Sequence, residues 1–188
     1  MRSCLKWCVS IGVICIGVVL TGAIDQTTRD ALKVKHLLRT IEIQSTRTDG
    51  KNLAAEVTEK ELNAYIAYSL EQEKSALVNT LHVGLMDNNH IRGKVRFDAK
   101  LLNFGGFLGE DLDFDFTGIL YTRNGAARLD LTEVWLSGQP VDPQLLDSIV
   151  KTAALNYGTE SGGIEDWYEM PKGIKRADIH KGRAVLHY

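Results

Sequence analysis

From Leu77 onward, long stretches of the chain alternate apolar and polar residues. That two-residue period predicts an antiparallel sheet with one dry face and one wet face. Ile91, Val95, Phe97, Ala99 and Leu101 share one side of a predicted strand, with Arg92, Lys94, Arg96, Asp98 and Lys100 on the other. Leu112, Phe114, Phe116, Gly118 and Leu120 repeat the pattern, opposite Asp113, Asp115 and Thr117. Leu77, Leu81, Val83 and Leu85 supply an earlier strand, and residues 126–136 a later one. Asp87-Asn88-Asn89 and Asn124-Gly125 are turn signals between them. A slip of phase near Glu133-Val134-Trp135 predicts a bulge or a strand end. Residues 174–179 and 183–188 read as a last hairpin, joined by His180-Lys181-Gly182.

Elsewhere the apolar spacing is helical. Residues 57–74 open on Thr58 and Glu61, a capping box in which each side chain accepts from the other's backbone N–H. Val57 and Leu62 stand at the positions of a hydrophobic staple, and Leu62, Tyr65, Ile66, Ser69 and Leu70 form one stripe. Asp142 with Pro143 predicts a second helix start, with Leu145, Leu146, Ile149, Val150 and Ala153 on its apolar side. Residues 30–43 (DALKVKHLLRTIEI) predict a helix passing into a strand. The expected class is α+β: a meander of about six or more strands, an amphipathic helix before it, and a second helix before a C-terminal hairpin.

The N-terminus changes where this domain is expected. Arg2 and Lys6 precede an uncharged, mostly apolar run of eighteen residues, Trp7 to Ile24. As a helix that run would span about 27 Å, close to a bilayer core of about 30 Å. Positive charge ahead of it predicts a cytoplasmic N-terminus and a domain on the far side of the membrane, periplasmic or extracellular. Thr21-Gly22-Ala23 is a passable cleavage site, so a signal peptide and secretion compete with an uncleaved anchor. The expected organisation is a leader over 1–24, a membrane-proximal segment over 25–52 and an α+β domain over 53–188. Cys4, Cys8 and Cys15 all lie in the leader, which leaves the domain no disulfide, thiolate nucleophile or cysteine metal ligand.

Composition narrows the partners. The chain is 44% hydrophobic and 24% charged, as a globular protein is. Its net charge of -2 falls to -4 without Arg2 and Lys6, which argues against a nucleic-acid partner held through phosphates. Lys33, Lys35 and Arg39 follow the apolar run closely, where anionic head groups could attract them; an ordinary solvated helix face explains them as well.

Catalytic and metal chemistry find little purchase. Glu110, Asp111, Asp113 and Asp115 resemble an acidic cluster, but Phe116 stands where an EF-hand loop needs glycine. On a strand, Asp113 and Asp115 share a face and read as a solvated charge ladder against Arg96 and Lys100. His36, His82, His90, His180 and His187 have no metal-ligand spacing, Ser161 has no nucleophile elbow, and Gly105-Gly106 belongs to no nucleotide-binding motif. No catalytic residue, metal or cofactor is expected. Two segments are unusually greasy for loops. Leu101 to Gly109 carries Leu102, Phe104, Phe107 and Leu108 between two strands, either plugging the core or forming a lip at a cavity mouth. Trp167-Tyr168-Glu169-Met170-Pro171 could sit at a water–lipid boundary.

Taken together, the leader, V-T-E-K-E-L-N-A-Y-I (57–66), G-Q-P-V-D-P-Q-L-L (138–146) and M-P-K-G-I…I-H-K-G-R-A-V-L (170–186) resemble small membrane-anchored bacterial proteins of the YpmS and LmeA kind. Their folds are related to the tubular lipid-binding (TULIP) superfamily. The resemblance covers most of 53–188 as a loose pattern without a diagnostic signature. It implies a curved sheet wrapped around a helix, enclosing an apolar groove for acyl chains. The inward-facing candidates for that groove are Leu81, Val83, Val95, Phe97, Phe114 and Phe116, with Tyr65 and Ile66 from the helix; plain core packing is the competing role for each. The expected function is a membrane-tethered, non-catalytic module binding phospholipid or a fatty acyl ligand. The alternative is an envelope scaffold or protein-interaction domain with a solid core.

Overall fold

The computed structural model describes residues 25–46, 52–72, 77–98, 111–156 (153–156 by backbone alone) and 162–188. In chain order the elements are α1 (Gln26–Ser45), β1 (Ala54–Thr58), α2 (Glu59–Gln72), β2 (Val78–Leu85), β3 (His90–Asp98) and β4 (Asp111–Arg123). β5 (Ala126–Leu136), β6 (Gln139–Val141), α3 (Pro143–Asn156), β7 (Tyr168–Glu169), β8 (Arg176–His180) and β9 (Arg183–His187) follow. The class is α+β: a curled antiparallel sheet in the order β2-β3-β4-β5-β6, with β7 on β5, and a second sheet in the order β1-β9-β8. No helix among the described residues is long and apolar enough to cross a membrane.

The alternating pattern sets the register. β3 reads exposed–buried from His90 through Phe97, and pairs Val95 with Phe114 and Phe97 with Leu112 on its dry side. The β4–β5 hairpin turns at Asn124 and Gly125 with φ of 49° and 80°, the left-handed pair that a two-residue hairpin needs. Asn88 and Asn89, both at φ 60°, turn β2 into β3 in the same way. The phase slip is a bulge: Thr117 faces Glu133 while Gly118 faces Leu131, so Thr132 is the extra residue. That insertion lets Leu131 and Val134, three apart, both face the core.

The apolar side of the curled sheet is closed by other elements. Phe97, Phe114, Phe116, Val134, Leu85 and Ile91 pack with Leu146 and Ile149 of α3 and with Ile179 and Ala184 of the small sheet. The Phe97 and Phe114 rings meet edge to face at 5.9 Å and 81°. Phe116 lies over Gly93, where an added Cβ would fall 2.2 Å from its Cζ. The β2–β3 turn joins the two sheets: Asn89 donates its backbone N–H to the Ile179 carbonyl, and its side-chain oxygen accepts the Ile179 N–H at 2.7 Å.

Three segments depart from expectation. Residues 30–43 do not turn into a strand; α1 is helical from Gln26 to Ser45, because Ala31, Val34 and Ile41 are buried at helical spacing. Residues 54–58 form β1, whose partner β9 lies at the far end of the chain. Leu145, expected on the apolar side of α3, is 40% exposed, and Leu146 and Ile149 carry that role.

Candidate functional site

The capping box that opens α2 is formed as the sequence predicts. Thr58 donates its N–H to Glu61 Oε2 at 3.0 Å, and Glu61 donates its own to Thr58 Oγ1 at 3.3 Å. Glu61 also receives the ammonium of Lys33 from α1, and Lys60 of α2 reaches back to Asp30 at 2.9 Å. These two crossed pairs clamp α1 to α2. Burial pushes the Glu61 carboxyl up, but Lys33 and the Thr58 donors outweigh it and hold the group below its ordinary value. The Asp30 carboxyl is likewise held low, chiefly by Lys60.

On its other side α2 serves as a substitute strand. Asn63 accepts the backbone N–H of Val83 and donates to its carbonyl, both at 2.7 Å, and Glu59 Oε2 accepts the Leu85 N–H at 2.7 Å. At Val83 and Leu85 the edge of β2 is thereby satisfied without another strand.

Between α1, α2 and the segment after β7 lies a cleft of about 590 Å³. Leu32, Leu38, Tyr65 and Pro171 give it an apolar lining, and Lys35, His36, Arg39, Lys172 and Glu42 stand at its rim. Its far wall depends on one tight approach: Gly173, at φ 93°, lies where a Cβ would come within 2.7 Å of Ser45 Oγ and 3.0 Å of the Ile41 carbonyl. That packing sets Pro171 and Lys172 against the C-terminal half of α1. The volume falls within the range of about 300–1,000 Å³ usual for small-molecule sites.

A second hollow, of about 560 Å³, lies on the polar face of the sheet. Phe116 and Trp135 line it together with His82, Arg92, Lys94, Asp115 and Thr117, and Lys94 is paired with Asp115 at 2.9 Å. Half of the expected charge ladder stands beside it, with Arg96 donating to both Asp113 oxygens at 2.6 and 3.0 Å; Lys94 rather than Lys100 meets Asp115, and Lys100 lies outside the described residues. Arg96 accordingly lowers the Asp113 carboxyl. Among the described residues no group of three or more His, Cys, Asp or Glu side chains could hold a metal ion.

The structure divides the candidates read from the sequence. Val95, Phe97, Phe114 and Phe116 are 1–7% exposed and sit together in the sheet's core, with Leu81 and Val83 half-buried against them. Ile66 is half-buried on α2, and Tyr65 faces the α1 cleft. Leu102, Phe104, Phe107 and Leu108 lie outside the described residues, as does the leader. Leu32 and Leu38 were legible only as helix-face residues. Pro171 and Lys172 carry no local sign that they fold back over α1. No protein-family model, no curated protein and no solved structure matches the chain.

Proposed function

We propose that this chain is a module tethered outside the cytoplasm that binds a lipid or another apolar ligand without covalent chemistry. The observation that carries the reading is the cleft between α1 and α2, lined by Leu32, Leu38, Tyr65 and Pro171. Its place in the chain supports it, since α1 begins at Gln26, directly after the apolar run that ends at Ile24. The resemblance to membrane-anchored proteins with TULIP-like folds points to the same ligand class. The groove moves, however, from between sheet and helix to between two helices; Tyr65 is common to both sites. Each methylene withdrawn from water contributes about 0.8 kcal/mol, so affinity needs no elaborate polar recognition.

Native mass spectrometry of the full chain extracted in mild detergent tests this. A bound lipid or fatty acid that is lost on Tyr65→Asp supports the reading. A protein that stays empty when lipid is added back refutes it. A protein-interaction domain with a solid core is the second reading, favoured by the near-complete burial of Phe97, Phe114 and Phe116. It predicts that a protein, and no lipid, accompanies the chain through purification.

A further inference from the structure

The cations of α1 and α2 fall into two groups. Lys33 and Lys60 are taken up by Glu61 and Asp30 in the clamp between the helices. Lys35 and Arg39, one turn apart on α1, face the cleft and have no carboxylate partner among the described residues. Lys35 instead stands 5.3 Å from the centre of the Tyr68 ring. From across the cleft comes Lys172, whose one acidic partner among the described residues is Glu42 at 3.9 Å, the outer limit of an ion pair. Both of those side chains are largely solvated, at 87% and 52% exposed, so the contact holds Lys172 weakly. Leaving His36 out of the count, Lys35, Arg39 and Lys172 set three positive charges on the rim against the one negative charge of Glu42, beside an apolar floor.

Resting on the reading of the cleft as an apolar-ligand site, we infer that the ligand is an anionic amphiphile. Its carboxylate or phosphate sits among Lys35, Arg39 and Lys172, and its chain lies over Leu32, Leu38 and Tyr65. Lys and Arg are suited to this in different ways. Arg39 offers a planar fork for two oxygens, and the lysines act as mobile point charges. The same cations would repel a cationic amphiphile, and a zwitterionic head would recover only part of the attraction. The cleft thereby selects by head-group charge, while its floor accepts any chain of suitable length.

The test uses the full chain in a neutral detergent, with native mass spectrometry reading lipid retained from additions of phosphatidylglycerol, phosphatidylcholine or inorganic phosphate. The expected result is phosphatidylglycerol bound at least tenfold more tightly than phosphatidylcholine with the same chains. Each of Lys35→Gln, Arg39→Gln and Lys172→Gln should weaken it about fivefold, and the triple variant on the order of a hundredfold. Lys181→Gln, an exposed cation away from the cleft, should change nothing, which separates the cleft from a general effect of net charge, and lipid gathered by the leader would be indifferent to all four substitutions. Circular dichroism of the triple variant, whose substitutions all lie on exposed side chains, should match the parent. Equal retention of the two lipids overturns the head-group inference and leaves the apolar cleft standing. Phosphate binding as tightly as phosphatidylglycerol overturns it too, by making the anion alone sufficient. Retention of neither lipid removes the underlying reading itself.

Discussion

Replacing Asn63 by alanine strikes the point where a helix stands in for a strand. The Asn63 amide makes two 2.7 Å bonds with the backbone of Val83, one accepting its N–H and one donating to its carbonyl. A typical hydrogen bond contributes about 1 kcal/mol net, and leaving a partly buried backbone group unpaired costs more than the mean. The two together give an expected loss of about 2–3 kcal/mol for Asn63→Ala. Alanine is the better helix former, by a few tenths of a kcal/mol, so propensity offsets little of this. In a protein of this size the loss corresponds to a fall in Tm of roughly 4–12 °C. Asn63→Asp keeps the acceptor and loses the donor, setting a carboxylate against the Val83 carbonyl; it should be no more stable than the alanine variant above neutral pH. Urea unfolding gives the magnitude, and hydrogen exchange at the Val83 amide locates it, because that N–H loses its acceptor in the alanine variant. A variant within 0.5 kcal/mol of the parent, with unchanged protection at Val83, would refute the substitute-strand account.

Phe114→Ala should cost about 3–5 kcal/mol in urea unfolding, since the side chain is 1% exposed and meets Phe97 edge to face; a loss under 1 kcal/mol would mean the sheet's apolar side is not the packed core described. The Glu61 carboxyl is held low in the folded protein, so its contribution to stability is complete above the unfolded value of about 4.3 and is lost as pH falls through the lower folded value. Glu61→Gln should therefore flatten, without abolishing, the decline in urea midpoint below about pH 4.3, because Asp30 and Asp113 titrate in the same window; identical acid limbs would contradict the assignment. A double-mutant cycle on Arg96 and Asp113, each about half exposed, should give less than about 1 kcal/mol, shrinking in high salt; a larger, salt-insensitive coupling would show the ladder to be more than a solvated pair.

Much of the fold was legible because its signals are local. Thr58 and Glu61 are three residues apart, and a capping box needs nothing else to form. Asn124-Gly125 selects its turn by backbone sterics alone, and the phase slip read near Glu133-Val134-Trp135 marked a bulge whose extra residue is Thr132. What escaped the sequence depends on distant partners. Ala54 to Thr58 is a strand because β9 lies beside it, not because Ala-Ala-Glu-Val-Thr favours extension. Ile41 and Ile43 alternate like a strand, yet Ile41 is buried in step with Val34 and Ala31, so tertiary packing sets the period. The cleft was illegible for the same reason. Its floor on α1 looks like any helix face until Gly173 brings Pro171 and Lys172 against it. Alternation also cannot distinguish a filled sheet from a hollow one, and here Leu146 and Ile149 of α3 pack against the sheet's apolar side.

The proposed role depends on an acyl chain resting in the cleft on α1. Photo-crosslinking of the full chain with a diazirine-bearing fatty acid, followed by peptide mapping, reads that position directly. Labels concentrated on the peptides holding Leu32, Leu38 and Tyr65, and suppressed by excess phosphatidylglycerol, are the predicted result. Labels confined to the leader, or spread evenly over the surface and indifferent to competitor, would contradict it.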